Sequence, residues 1–366
     1  MRKWLLRILL SVVALLVLTI GLPMLYIEGT CQPTSVASTK APRALEWPEI
    51  TEAGYRRNAD NTFFTFPEWY IVYSFEDFGR FLDRGSESGF GYVSHILGFW
   101  RSFCTINRAV PETAAGNFDV KSMIYVIGVS YSAEYAIKGF YENTIGRVTE
   151  WIRGPQPTPQ DVFARGVLQD YAAFLYTVPW YKYPFKDKLG ELFTLPASTP
   201  SHIRSRERDF ALGAEYGVKI GYAALIQMAL DASGDEEARD IMFVTAPLSP
   251  EQLAREPRLK PVRTLTPNWQ LVQAPRYKAF TEIVQGLIEQ GHPVAEIAGN
   301  REIFITVIAP KMQAINVPDA TELFALDLDA RPGFQRVGMR ARIDRLVEVN
   351  RTLKDQQASI EHFYDY

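Results

Sequence analysis

The sequence predicts a transmembrane anchor, then a mainly helical domain, then an α+β domain of ferredoxin-like, split βαβ type. Three observations point there. An apolar run with no ionisable side chain extends from Ile8 to Ile27. Between residues 59 and 245 aromatic and other apolar side chains recur at helical spacing, as in Phe75, Phe78, Phe81 and Leu82. Beyond Pro267 short strand patterns alternate with two helix patterns.

At about 1.5 Å per residue the run Ile8 to Ile27 is about 30 Å long, the thickness of a bilayer's hydrocarbon core. Arg2, Lys3 and Arg7 lie on one flank, whereas the other holds Glu28 and no basic residue before Lys40. The positive-inside bias therefore keeps residues 1–7 cytoplasmic and exports the rest. The run exceeds the apolar core of a cleavable signal peptide, and the best small-residue cut, after Ser35-Val36-Ala37, lies well past its end. Glu28 three places before Cys31 argues against a lipidated cysteine. The expectation is a signal anchor, residues 8–27, crossing the cell (inner) membrane once with the bulk of the chain periplasmic.

The composition is that of packed globular protein, 47% hydrophobic and 22% charged, and the length beyond the anchor suits two domains. A net charge of −3 without a basic block argues against a nucleic-acid partner. The Arg204-Ser205-Arg206-Glu207-Arg208-Asp209 patch alternates in sign and reads as a solvated face. The two cysteines, Cys31 and Cys104, read as a disulfide in an oxidising compartment, since two thiolates alone make no closed zinc site. Closing that loop contributes about 4 kcal/mol in the chain-entropy model. It also holds the segment around Cys104 near the membrane surface.

Residues 28–58, rich in Pro, Ser, Thr and Ala, read as a linker or strap. Within the helical domain, 59–245, helices are expected over Phe63–Arg84, Tyr92–Arg108 and Asp119–Arg153, the last stopped by Gly154-Pro155. Thr158-Pro159 caps the next helix, which ends before Pro179, and another runs from about Glu207 to Ala232. Residues 246–267 read as a proline-spotted linker. In the α+β domain, 268–366, strands are expected at Trp269–Gln273, Val294–Ala298, Ile303–Ile308, Gln335–Arg340 and Ser359–Phe363. Helices are expected at Tyr277–Gln290, stopped by Gly291, and at Asp344–Gln357.

Several constellations are candidates for function. Gly213, Gly217 and Gly221 share one helix face, and Gly128, Ser132 and Ala136 make a similar stripe, so the two helices are expected to pack small against small around a cavity. Glu134 and Glu142 share a face about 12 Å apart, beyond the roughly 5–9.5 Å of a glycosidase pair, so an acid–base site needs a second carboxylate such as Asp170. The opposing reading neutralises Glu134 with a buried cation such as Lys219. Trp69, Tyr70, Trp180, Tyr181 and Lys182 lie in aromatic segments with proline and suit a headgroup interface, or else roof the helical core. The four histidines have no metal-ligand spacing, no G-x-S-x-G occurs, and Gly85 to Gly91 lacks the lysine of a phosphate loop. No cofactor or metal is expected.

Together these features describe an envelope protein that binds membrane lipid or a protein partner. The competing description is an envelope hydrolase with its carboxylates around Glu134. A cation on Glu134 favours binding; an open cleft with a second carboxylate nearby favours hydrolysis.

Overall fold

The computed structural model describes residues 21–34, 47–110, 118–197, 201–233, 239–328 and 331–366. Residues 21–30 are helical, while residues 8–20 of the expected span lie outside the described ones. Among the described residues no helix is long and apolar enough to cross a membrane. After a single turn at Asn61–Phe64 come α1 (Phe66–Phe81), α2 (Tyr92–Ala109), α3 (Phe118–Tyr141), α4 (Arg147–Arg153), α5 (Pro159–Leu175), α6 (Phe185–Leu192) and α7 (His202–Ser233). There follow β1 (Asp240–Thr245), α8 (Pro250–Arg255), β2 (Lys260–Thr266), β3 (Trp269–Pro275), α9 (Lys278–Glu289) and β4 (Val294–Ile297). The chain closes with β5 (Glu302–Pro310), β6 (Ala320–Asp327), β7 (Phe334–Arg342), α10 (Leu346–Asp355) and β8 (Ser359–Phe363).

Local chemistry accounts for several boundaries. Thr158 and Asp161 form a capping box on α5 with Pro159 in its first turn, and Ser249 and Gln252 do the same for α8. Gly154 and Gly291, at φ 77° and 74°, end α4 and α9 in a backbone conformation that favours glycine. The expected helix Asp119–Arg153 is broken by a π turn, Glu142–Gly146, between α3 and α4. Residues 246–267 are not a linker, because α8 and β2 occupy most of them.

The chain divides into two compact units of discontinuous segments. The first comprises Met1–Glu68, Phe99–Val129 and Ala238–Tyr366, and the second Trp69–Gly98 and Ser130–Glu237. Three divisions fall inside α1, α2 and α3 rather than at the compositional change near residue 58, and the fourth falls between α7 and β1.

In the first unit the strands form two four-stranded antiparallel sheets, of order β2-β3-β1-β4 and β6-β7-β5-β8. One ferredoxin-like sheet was expected; instead the strands form two sheets, with β4 and β5 in different ones. Each sheet does contain a split βαβ, with β1 between the parallel strands β3 and β4, and β5 between β7 and β8. The two halves repeat one topology and share two irregularities, though a further shift at Thr264/Thr266 in β2 has no counterpart in β6. A bulge at Val244/Thr245 in the β1–β4 pair recurs at Thr306/Val307 in the β5–β8 pair. A second, between Pro261 and Arg263 in β2, recurs between Glu322 and Phe324 in β6. Bulges re-aim a strand at a specific point, so two in matching register mark a duplicated βββαβ unit.

Inner faces of both sheets and helices α9 and α10 share one core, which includes Phe243, Val272, Phe280, Leu287, Ile305, Met339, Val349 and Phe363. The outer faces are covered by the segment from Trp47 to Phe66. Ile50 and Tyr55 pack on Val244, Leu271 and Ala295 of the first sheet; Phe63 and Phe66 meet Phe304, and Phe66 also meets Phe324 and Tyr364. The expected strap is thus a cover for two sheets. The helix 21–30 is tied to the same unit: Cys31 is bonded to Cys104 of α2, and Glu28 pairs with buried Lys121 of α3 at 2.6 Å and accepts from Tyr125.

Candidate functional site

The second unit is built around charge. Helices α3 and α7 run antiparallel, and ion pairs join them in register: Glu134 with Lys219 at 2.9 Å, Lys138 with Glu215 at 2.9 Å, and Glu142 with Arg208 at 2.9 Å. Arg208 also binds Glu87, from the loop before α2, and Glu207. Arg204 continues the chain to Glu207 and Asp161, and Asp161 reaches Arg153 at 2.8 Å. Arg204 and Arg208 are buried, so the alternating-sign patch is not a solvated face. A helix of spacing 3.6 sends Arg204, Arg208, Glu215 and Lys219 inward together.

Lys219 is enclosed. Its ammonium lies over the rings of Tyr171, Phe185 and Phe75 at 4.9, 5.0 and 5.4 Å, and it bonds Glu134 and Glu215. Burial lowers its affinity for a proton, but the two carboxylates outweigh burial and hold it above the usual lysine value. Burial likewise raises the carboxyl of Glu215, yet Lys138 and Lys219 prevail and bring it down to about 2. Glu142 goes the other way. Burial and then the Glu87 charge push its carboxyl up to about 8 against the opposing Arg208, and its Oε2 has no hydrogen-bond partner among the described residues. Burial and Glu87 thus favour the protonated form of Glu142, while Arg208 favours the carboxylate. Gly146 of the π turn leaves room for the side chain, because a Cβ there would sit 2.2 Å from its Oε2.

The cavity among Glu87, Lys138, Tyr171, Glu215, Tyr216 and Lys219 measures about 20 Å³, room for a water molecule and too little for a substrate. Ser74, unremarked in the sequence, meets His95, one of the four scattered histidines, at 2.9 Å, Oγ to Nδ1. The same Oγ also contacts Tyr131 and Tyr135 hydroxyls at 2.6 and 3.1 Å. Ser74 is buried, so this pair is a packed hydrogen-bond hub without an approach for an acyl group.

The other residues singled out fall as follows. Glu134 has the Lys219 partner, and Asp170 is exposed and accepts from Tyr183 at 2.7 Å; it does not join the ionic cluster. Trp69 is a core residue packed on Tyr73 and Tyr176, which removes it as an interface group. Tyr70 is half-buried, its hydroxyl in the space that a Cβ at Gly98 would fill. Trp180, Tyr181 and Lys182 make a half-buried single turn in which Trp180 packs on Tyr222 and Lys182 lies over Tyr181. The small-on-small contact is not made. A Cβ at Gly217 or Gly221 would meet no described atom within 4 Å, and Gly213 faces Phe193 of the α6 end. Ser132 is half-buried and Ala136 exposed, while Gly128 packs against the rings of Phe99 and Trp100. The ion pairs turn both stripes away from the joint. No family model, curated protein or solved structure matches this chain.

Proposed function

We propose that this chain is a single-pass, membrane-anchored exported protein of the cell envelope that binds membrane lipid or a protein partner rather than hydrolysing a substrate. The observation that carries this reading is the Lys219–Glu134 pair at 2.9 Å. The carboxylate best placed by sequence for acid–base work is neutralised by a lysine enclosed in aromatic rings. Its neighbours Glu87, Glu142 and Glu215 are likewise bound by cations. An ion cluster with partners from both helices specifies one helix packing, which suits a rigid scaffold. The Cys31–Cys104 bridge agrees with an exported chain, and the run Ile8 to Ile27 with its basic flank supports the anchor.

The test is a co-purification of tagged full-length protein from membranes, with bound lipids and proteins identified, beside C-terminal reporters active only outside the cytoplasm. Expected are reporter activity and a defined lipid or protein in stoichiometric amount. An N-terminus mapped to Ser38, or hydrolysis of an envelope polymer that Glu134→Gln abolishes, overturns the reading.

A further inference from the structure

The π turn and α4, from Glu142 to Arg153, are fastened to the second unit by polar bonds rather than by hydrocarbon. The buried residues of this segment are Glu142, Gly146 and Thr149, and none of them brings an apolar side chain to the core. Ile145, Val148 and Trp151 point outward, 51, 56 and 82% exposed, so hydrophobic burial does little to hold the segment down. Two arginines of α7 do most of the fastening. Arg208 donates to Oε1 of Glu142, the first residue of the π turn, at 2.9 Å. Arg204 donates to the carbonyl of Gly146, the last, at 3.1 Å and to the Thr149 hydroxyl at 3.0 Å. Beyond these, Arg147 donates to the carbonyl of Ser88, and Arg153 binds Asp161. Segments with few buried apolar contacts are the ones that open locally, ahead of global unfolding, and π turns concentrate at functional sites.

Glu142 is the weak point of the fastening. Arg208 answers three carboxylates, those of Glu87, Glu142 and Glu207. Glu207 also has Arg204, and Glu87 has Lys138 at 4.0 Å, whereas Glu142 makes no second ion pair among the described residues. Its Oε2 is buried without a hydrogen-bond partner, in the space that a Cβ at Gly146 would need. A charged oxygen left so costs more than a neutral one. We propose that Glu142–Arg153 is a proton-controlled flap, which lies on α7 while Glu142 is protonated and lifts as Glu142 ionises, uncovering Arg204 and Arg208. The groups around Glu142 set the sign. Arg208 and Glu207 face it from α7, Glu87 from the loop before α2, Tyr92 from the start of α2, and Lys138 and Tyr141 from α3. Burial and then Glu87 raise its carboxyl to about 8 against Arg208 and Lys138. Lifted into water, the side chain returns to 4.5. Between these values the closed flap holds a proton that the open one releases, so opening gains up to about tenfold per pH unit and levels off above about 8. This device is independent of the anchored reading.

The experiment is amide hydrogen exchange of the full-length protein in detergent micelles from pH 5 to 9, each rate divided by the intrinsic rate at that pH. Expected is a protection of residues 142–153 that falls by up to about tenfold per pH unit and levels off above about pH 8, while α5 and the middle of α7 keep theirs. Glu142→Gln cannot ionise and is expected to hold the flap's protection constant across the range. Gly146→Ala, whose Cβ takes the place of Oε2, is expected to leave that protection low at every pH. Constant protection of 142–153 in the parent overturns the flap. A fall shared equally by α5 and α7 shows that the whole unit unfolds and also overturns it. An undiminished fall in Glu142→Gln assigns the proton to another group, with the same consequence.

Discussion

Lys219 and Glu142 occupy opposite ends of one electrostatic problem, carboxylates and cations drawn together in the α3–α7 joint. Lys219→Met keeps most of the aliphatic volume but removes the cation from Glu134 and Glu215, and loss of one partner from a buried pair costs about 3–5 kcal/mol. Denaturant unfolding of Lys219→Met is expected to show a loss of that order; a midpoint equal to that of the parent would mean that water already satisfies both carboxylates. For Glu142 the folded value, about 8, lies above the 4.5 of the unfolded chain. Between those values the fold holds a proton that the unfolded chain releases, so stability falls as pH rises through that window and the loss is complete above about 8. Glu142→Gln cannot ionise. Its thermal midpoint is expected to gain on that of the parent as pH increases from 5 to 9, and parallel profiles would refute the protonated carboxyl. The ionic joint was partly legible in the sequence. Glu134 and Lys138 of α3 and Glu142 of the π turn that follows lie four apart, while Arg208, Glu215 and Lys219 share a face of α7 with complementary signs in reverse order. Glu87 was not legible, because it enters from a loop far away in sequence.

At the scale of elements, helix glycines serve two purposes that spacing alone does not separate. Gly128 is pressed by aromatic rings, with Phe99 2.2 Å and Trp100 3.0 Å from a Cβ position. Gly128→Ala is therefore expected to overpack its helix contact and cost about 1–3 kcal/mol. Gly217 meets nothing within 4 Å among described residues, so Gly217→Ala is expected to stabilise α7 by up to about 1 kcal/mol through helix propensity alone. Thermal melts of the two variants should move in opposite directions; a destabilised Gly217→Ala would reveal a neighbour on that face. The π turn at Glu142–Gly146 was equally hidden. Its sequence fits a plain helix, and only the arginine facing Glu142 and the close approach at Gly146 explain the extra residue.

For the whole molecule, the bridge between Cys31 and Cys104 ties the N-terminal helix to α2 across a separation of 73 residues. Replacing both cysteines with serine is expected to lower stability by about 4 kcal/mol in the chain-entropy model. Urea unfolding with and without reductant measures this directly: the parent should lose that amount on reduction and the double variant should be indifferent. An unchanged parent would show that Glu28, Lys121 and the surrounding contacts already hold the segment. The duplicated βββαβ halves depend on each other, since their inner faces and α9 and α10 share a single core.

What the sequence determined by itself was whatever is written in neighbouring residues. Capping at Thr158 and Asp161, stops at Gly154 and Gly291, the helix periods of α9 and α10 and the isolated cysteine pair each need only a short window or a count. Tertiary structure alone decided which faces are inside. The glycine stripe of α7 points outward because burying Arg208, Glu215 and Lys219 against α3 requires the opposite face, a choice between two amphipathic faces that only the partner helix can make. The strands β1, β2 and β6 escaped notice for a related reason. Asp240–Thr245 is nearly all apolar and β2 nearly all exposed, so neither alternates, and their pairing with β3 is what makes them strands. The repeat of the two halves was invisible in side chains, with Ile241 and Ile303 the sole identity between the paired positions of β1 and the start of β5. It resides in backbone register and bulges, which many apolar sequences satisfy equally well.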